Sequence, residues 1–220
     1  MSAQRRGREG APESPVTYGA IGGTQALDLL QYPPPGYKPM ERSVRLGSGD
    51  ERWETSKAAL MSWGVQRGAG LKVTHVDLGT GEQYAGIRYS EDGTPVGMRE
   101  AGGAEAVYND EGEPLISNGM SAVLKTKVGP ITVDAPVRVV YVIDDPKRVG
   151  FAYGTLQGHP QSGEEAFILE HRDDDSVWLT VRSFSRPASF GWRLLTPVAS
   201  SVRKDITAKY LRALHPINAA

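Results

Sequence analysis

The residues best suited to chemistry crowd into one stretch, "FAYGTLQGHPQSGEEAF", from Phe151 to Phe167. Apolar residues flank a hydroxyl pair (Tyr153 and Thr155), one of only four histidines (His159) and two adjacent carboxylates (Glu164 and Glu165). An imidazole beside a carboxylate can move protons near neutral pH. A phenol can donate to a ligand oxygen or to a buried carboxylate. His159, Glu164, Glu165 and Tyr153 are therefore the candidate catalytic residues.

Strand alternation sharpens this reading. Phe151, Tyr153 and Thr155 share one face, and Ala152, Gly154 and Leu156 the other. On the return strand Glu165, Phe167, Leu169 and His171 share a face opposite Glu164, Ala166, Ile168 and Glu170. Both return faces mix apolar and acidic residues, so one glutamate points towards the apolar interior. A carboxylate there has a raised pKa unless it is paired, which is a mark of a site. The dull alternative is a hairpin at the open end of a sheet, with His159 a turn residue forced extended by Pro160. Gly150 and Gly154 predict a bulge or a close backbone approach.

Strands must position these residues. "MSAVLKTKVG", "ITVDAPVRVVYVID", "VGFAYGTL", "EEAFILEHR" and "VWLTVRSFS" are separated by short turn-rich links. Such links join antiparallel neighbours. Pro136 predicts an edge, a bulge or a strand start. Upstream, "MERSVRLG" and "GLKVTHVDLG" read as strands around a helix over "SGDERWETSKAALMSWGV". That helix is capped by Ser48 or Asp50 and ended by Gly64, with Trp53, Leu60 and Met61 as its apolar stripe. After Thr196 and Pro197, the four-residue steps Val198, Val202, Ile206, Tyr210 and Leu214 predict a long amphipathic helix.

This order is an α+β plan: a curved antiparallel β-sheet of six or more strands gripping a long C-terminal amphipathic helix. Gaps beneath such a helix take apolar ligands. Tyr153, Thr155, Phe167, Trp178, Phe184 and Tyr210 are the candidate ligand-binding residues.

Residues 1–16 read as a disordered tail, 17–215 as one domain and 216–220 as a second tail. Within the domain, 77–118 reads as an acidic insertion of two hairpins, "YSEDGTPV" and "YNDEGEPL". It carries nine acidic residues against Arg88 and Arg99, a balance of −7, whereas 182–215 carries seven basic residues against Asp205, a balance of +6. The acidic segment could serve a protein partner or a homo-oligomer.

The motifs "VTYGAIGGT", "GYKPMERSVRLGSG", "FAYGTLQGHPQSGEEAF", "FSRPAS" and "YLRAL" occur in that order. Together they resemble the uncharacterised family named domain of unknown function nineteen-ninety. The resemblance runs from Val16 to Leu214 outside the acidic segment. It implies a helix-grip, START-like (SRPBCC-type) fold and carries no established reaction.

Composition narrows the rest. The 220 residues contain no cysteine, which excludes thiolate metal sites and disulfides. His75, His171 and His215 lack ligand spacing, so no metal and no cofactor is expected. A net charge of −1 argues against a nucleic-acid partner despite "RSFSRPASFGWR". "GAIGGT" lacks the strand–turn–helix setting of a dinucleotide site, and Ser185 has no nucleophile elbow. The N-terminus is no secretory signal and no run is long enough to span a membrane, so a cytoplasmic location is expected. Three functions follow in order: binding a small apolar or amphipathic molecule, acid–base catalysis on the same scaffold, or interaction through 77–118.

Overall fold

The computed structural model describes residues 14–78, 88–89, 95–96, 107–109, 112–128, 131–189 and 196–215. In chain order the elements are β1 (Lys38–Ser48), α1 (Asp50–Met61), α2 (Gly64–Gly68), β2 (Lys72–Asp77), β3 (Arg88–Tyr89), β4 (Pro95–Val96), β5 (Ser121–Val128), β6 (Ile131–Asp145), β7 (Arg148–Thr155), β8 (Gln161–His171), β9 (Ser176–Pro187) and the C-terminal helix, here α3 (Thr196–Ala213). Seven strands form one curved antiparallel sheet in the order β1-β9-β8-β7-β6-β5-β2, and β3 pairs with β4 in a separate two-stranded sheet. The fold is thus α+β. Between β4 and β5, Tyr108 bridges Pro114. The expected tails lie outside the described residues except at 14–16, where the tail reading needs correction. The Ser14 carbonyl accepts from Arg138, and Val16 packs on the sheet.

Period-two alternation gives the sheet two apolar faces, each covered differently. The inner face presents Val137, Val139, Phe151, Tyr153, Phe167, Leu169, Leu179 and Val181 to Trp53, Leu60 and Trp63, to Tyr210 of α3 and to Leu214 just past its end. The outer face presents Ala152, Ala166, Ile168 and Phe184, covered by Val16, Tyr18, Ile21 and Leu29. The N-terminal segment is therefore a strap across the back of the sheet. Of the expected α3 stripe, Tyr210 and Leu214 are buried and Ile206 is half-buried, while the Val198 and Val202 side chains lie outside the described residues.

Helix α1 departs from its expected ends. Gly49, at φ 91°, holds the N-cap position without a side-chain bond, and Asp50 and Glu51 fill the first turn. The left-handed residue that stops the helix is Trp63, at φ 64°, and not Gly64. Gly64 is needed for space instead: a Cβ there would lie 2.4 Å from the Ala59 carbonyl oxygen. A left-handed tryptophan is strained, and it persists because the Trp63 ring is fixed by packing on Phe151 and Tyr153.

Pro136 lies opposite Leu156 at the end of β7: its carbonyl accepts the Leu156 N–H at 3.0 Å, and the Leu156 carbonyl takes the His159 N–H in place of the donor that proline lacks. Gly154 shows close approach: a Cβ there would come within 2.5 Å of the Tyr18 hydroxyl. Because that hydroxyl is anchored, Gly154→Ala is expected to destabilise by about 1–3 kcal/mol. Urea denaturation checks this, and wild-type stability would show that the strap yields freely.

Candidate functional site

The two adjacent glutamates face opposite sides of β8. Glu165 is on the inner face, where its Oε2 accepts the Tyr153 hydroxyl at 2.6 Å. The Tyr153 and Tyr210 oxygens are 3.4 Å apart, linking the sheet to α3. Rings surround this cluster. Phe167 meets Tyr210 edge-on with centroids 5.0 Å apart, Phe151 stacks on Phe167 at 5.5 Å, and Trp63 stacks on Tyr153 at 6.3 Å. Burial, with the Glu165 charge behind it, holds the Tyr153 and Tyr210 phenols far above their ordinary pKa. Both therefore stay protonated and act as donors. At the start of α2 and within it, Trp63 Nε1 and the Gln66 carboxamide are also buried, with no hydrogen-bond partner among the described residues.

Glu164 lies on the outer face, 2% exposed. The Tyr18 hydroxyl and the Gly22 N–H donate to its Oε2 at 2.7 and 2.8 Å. The Thr24 N–H and hydroxyl donate to Oε1 at 2.9 and 2.5 Å. With its proton committed to Glu164, Thr24 Oγ1 accepts from Tyr141 at 2.7 Å. Four donors make Glu164 the buckle of the strap. They also explain "GAIGGT": Gly22, at φ 79°, turns its amide onto the carboxylate, and Gly23 leaves room for the Phe184 ring, which a Cβ would meet at 2.9 Å. Burial, and then the Glu164 charge, raise the Tyr18 phenol far above its usual pKa.

His159 reaches neither glutamate through any hydrogen bond its ring makes. Its Nδ1 accepts the Gln161 N–H at 2.9 Å, and its backbone N–H donates to the Leu156 carbonyl at 3.1 Å. Burial of the ring pushes its pKa down to about 4. It is a turn residue, and its ring bonds to neither carboxylate.

Three of the six expected ligand residues, Tyr153, Phe167 and Tyr210, meet on the inner face. Three do not. Thr155 is tied to Thr17 Oγ1 at 2.6 Å and to the Gly163 N–H at 3.0 Å, because the strap pairs with the end of β7. Phe184 packs outside against Tyr18 and Tyr37. Trp178 also faces outward, under the Arg172 guanidinium at 4.3 Å. Alternation along β9 separates Trp178 and Phe184 from Val177, Leu179 and Val181. Sequence reasoning missed Trp63 and Gln66, which no local pattern marks. It also missed Tyr18 and Thr24, for which the glycine-rich run beside a tyrosine was the available signal.

A second cluster stands at the far end of β8. Asp50, His171 and Asp175 bring one ligand atom each within 4.8 Å of one another. The expectation of no metal spacing around His171 is corrected here: folding unites residues up to 125 positions apart in the chain.

Comparison with known proteins places the chain among uncharacterised relatives. It is 40% identical over 77 residues to a UPF0548 protein of Deinococcus radiodurans, covering 35% of this chain and 39% of that protein. It is 30% identical over 153 residues to a UPF0548 protein of Arabidopsis thaliana, covering 67% of this chain and 57% of that one. The chain thus spans about two fifths and just over half of the lengths of these relatives. Among solved structures it is similar to hypothetical protein jhp0584 from Helicobacter pylori, with TM-score 0.45 and 8% identity over 87% of this chain and 92% of that one. It is also similar to a conserved protein from Geobacillus kaustophilus, with TM-score 0.39 and 17% identity over 80% of this chain and 94% of that one. The family described as Domain of unknown function (DUF1990) matches residues 17–94 and 97–213, and the chain belongs to that family.

Proposed function

We propose that this chain is a ligand-binding domain of helix-grip type, START-like in plan, holding a small amphipathic molecule between the inner face of the sheet and α3. The fold reading is supported by the two short helices between β1 and β2, the antiparallel run from β5 to β9, and the closing helix on the inner face. The observation that carries the function is the Glu165–Tyr153–Tyr210 cluster, a polar group set among aromatic rings and shared between sheet and helix. Rings supply apolar contact, while the phenols and the carboxylate orient a polar end. Trp63 Nε1 and the Gln66 amide, without partners among the described residues, add donors that a ligand would satisfy.

Catalysis on the same scaffold is the second reading, with Glu165 as the base. It is disfavoured by phenols held protonated and by a histidine bound into its turn. An interaction protein using 77–118 is the third. Native mass spectrometry of protein purified from its own host tests the first: a small molecule of constant mass is expected on the wild type. Tyr153→Phe and Glu165→Gln are each expected to lower its occupancy by about fivefold or more, the effect of one hydrogen bond. Wild-type protein repeatedly free of such a molecule would sink the binding reading. If Glu165→Gln retained the molecule and accumulated it unchanged, where the wild type released a product, the enzyme reading would take its place. If deletion of 77–118 left partner capture unaltered, the third would be lost.

A further inference from the structure

We infer that Asp50, His171 and Asp175 form a site for a divalent transition-metal ion of the zinc or manganese class. It is separate from the inner-face cluster. Three connections converge at one end of the sheet: the β1–α1 junction, the β6–β7 turn and the β8–β9 turn. The Gly49 N–H donates to the Asp175 carbonyl at 3.0 Å, which fixes the start of α1 against the β8–β9 turn. The His171 N–H donates to the Lys147 carbonyl at 2.9 Å, and its ring stacks on Trp53 with centroids 5.6 Å apart and planes 23° apart. The backbone bond thus fixes the main chain at His171, and Trp53 fixes the ring. It is 13% exposed, whereas Asp50 is 96% and Asp175 63% exposed. A fixed nitrogen donor with two carboxylates free to adjust is a workable metal-binding arrangement.

Distances and donor types agree. His171 Nε2, the nitrogen that would ligate, lies 2.8 Å from Asp175 Oδ1, while Asp50 Oδ1 lies 4.0 Å from the other ring nitrogen, Nδ1. One ligand atom from each residue lies within 4.8 Å of the others. Ligand atoms about 2.1 Å from a tetrahedral ion stand about 3.4 Å apart, so the exposed Asp50 carboxylate completes the set by turning towards Nε2. One imidazole and two carboxylates suit zinc or manganese, with water in the remaining positions. The ion would take the place of the hydrogen bond that His171 and Asp175 share.

The surroundings favour a cation. A cleft of about 480 Å³ opens over these residues, lined also by Glu54, Pro146, Lys147, Arg172 and Asp173. Lys147 pairs with Asp173 at 2.9 Å, and Arg172 lies over Trp178 and 3.5 Å from Glu170. Both lining cations are therefore already paired, leaving Asp50, Glu54 and Asp175 around the His171 ring. That local excess of negative charge is what a divalent ion neutralises.

Isothermal titration of the full, metal-stripped chain with zinc chloride, repeated with manganese chloride, tests the site. One ion per chain is expected, with a zinc-dependent rise in melting temperature as an independent readout. His171→Ala, Asp175→Asn and Asp50→Asn are each expected to weaken binding about tenfold or more, as lost donors do. His75→Ala, on edge strand β2, should bind as the wild type. His171→Gln keeps a polar side chain over Trp53, and together with circular dichroism it separates lost ligation from lost folding. No saturable binding below millimolar metal overturns the inference, as does wild-type binding by any of the three ligand variants.

Discussion

Glu164→Ala is expected to cost about 3–5 kcal/mol, a large part of a typical domain's 5–15 kcal/mol. The side chain is 2% exposed and accepts from Tyr18, from the Gly22 amide and twice from Thr24. Bonds to a charged acceptor are worth more than neutral ones, and truncation leaves four donors facing a void. The effect should be confined first to the strap. Gly154 and Phe184 fit against Tyr18 only while its hydroxyl is held, and the Thr17 N–H reaches the Thr155 carbonyl at 2.9 Å only while the strap lies flat. Amide exchange at Thr17, Gly22 and Thr24 should therefore rise before the sheet is affected. Glu165→Gln, one residue along, should leave those amides protected, because its side chain is on the other face. A Glu164→Ala protein with wild-type melting temperature and a protected strap would refute the buckle.

The second large effect is acid destabilisation through His159. Its folded pKa is pushed from 6.5 to about 4 by burial, partly opposed by the Gln161 backbone. As pH falls below 6.5 the unfolded chain binds a proton at this position that the folded chain refuses. Stability contributed by the neutral ring is thus complete above pH 6.5 and is lost as pH falls through the folded value. A gap of roughly 2.5 units corresponds to at most about 3 kcal/mol. His159→Asn should flatten this window, since its short amide oxygen can accept the Gln161 N–H in the same turn. The measurement is the difference in unfolding free energy between wild type and variant at pH 7 and pH 4.5, which cancels the titration of the other carboxylates. Parallel curves would show that the ring is solvated in the folded state.

Patterns within one element were readable before folding. Alternation through "EEAFILEH" placed Glu165 with Phe167 and Leu169, and Glu164 with Ala166 and Ile168, and the sheet keeps both groupings. Short polar links specified antiparallel neighbours, and the four-residue steps ending in Tyr210 and Leu214 specified a helix with one buried side. The family motifs were legible too, although their purpose was not. "VTYGAIGGT" and "SGEE" are one device divided between two places in the chain.

Choices between faces and between distant partners came only with tertiary structure. Both sides of β8 are apolar, so local hydrophobicity could not say which glutamate met the helix and which met the strap; that depended on where residues 14–32 run. The same ambiguity displaced Trp178 and Phe184 from the ligand set, since β9 is buried on both faces. Trp63 in a left-handed conformation, the meeting of Asp50 and Asp175 at His171, and the close fit of Gly154 to Tyr18 each depend on chain segments far apart in sequence. The sequence by itself determined the consecutive antiparallel strands of the second half and the closing helix, because periodicity and turn chemistry are local. Tertiary structure alone decided which side chains share a site, because each face of the sheet takes its character from the segment packed against it.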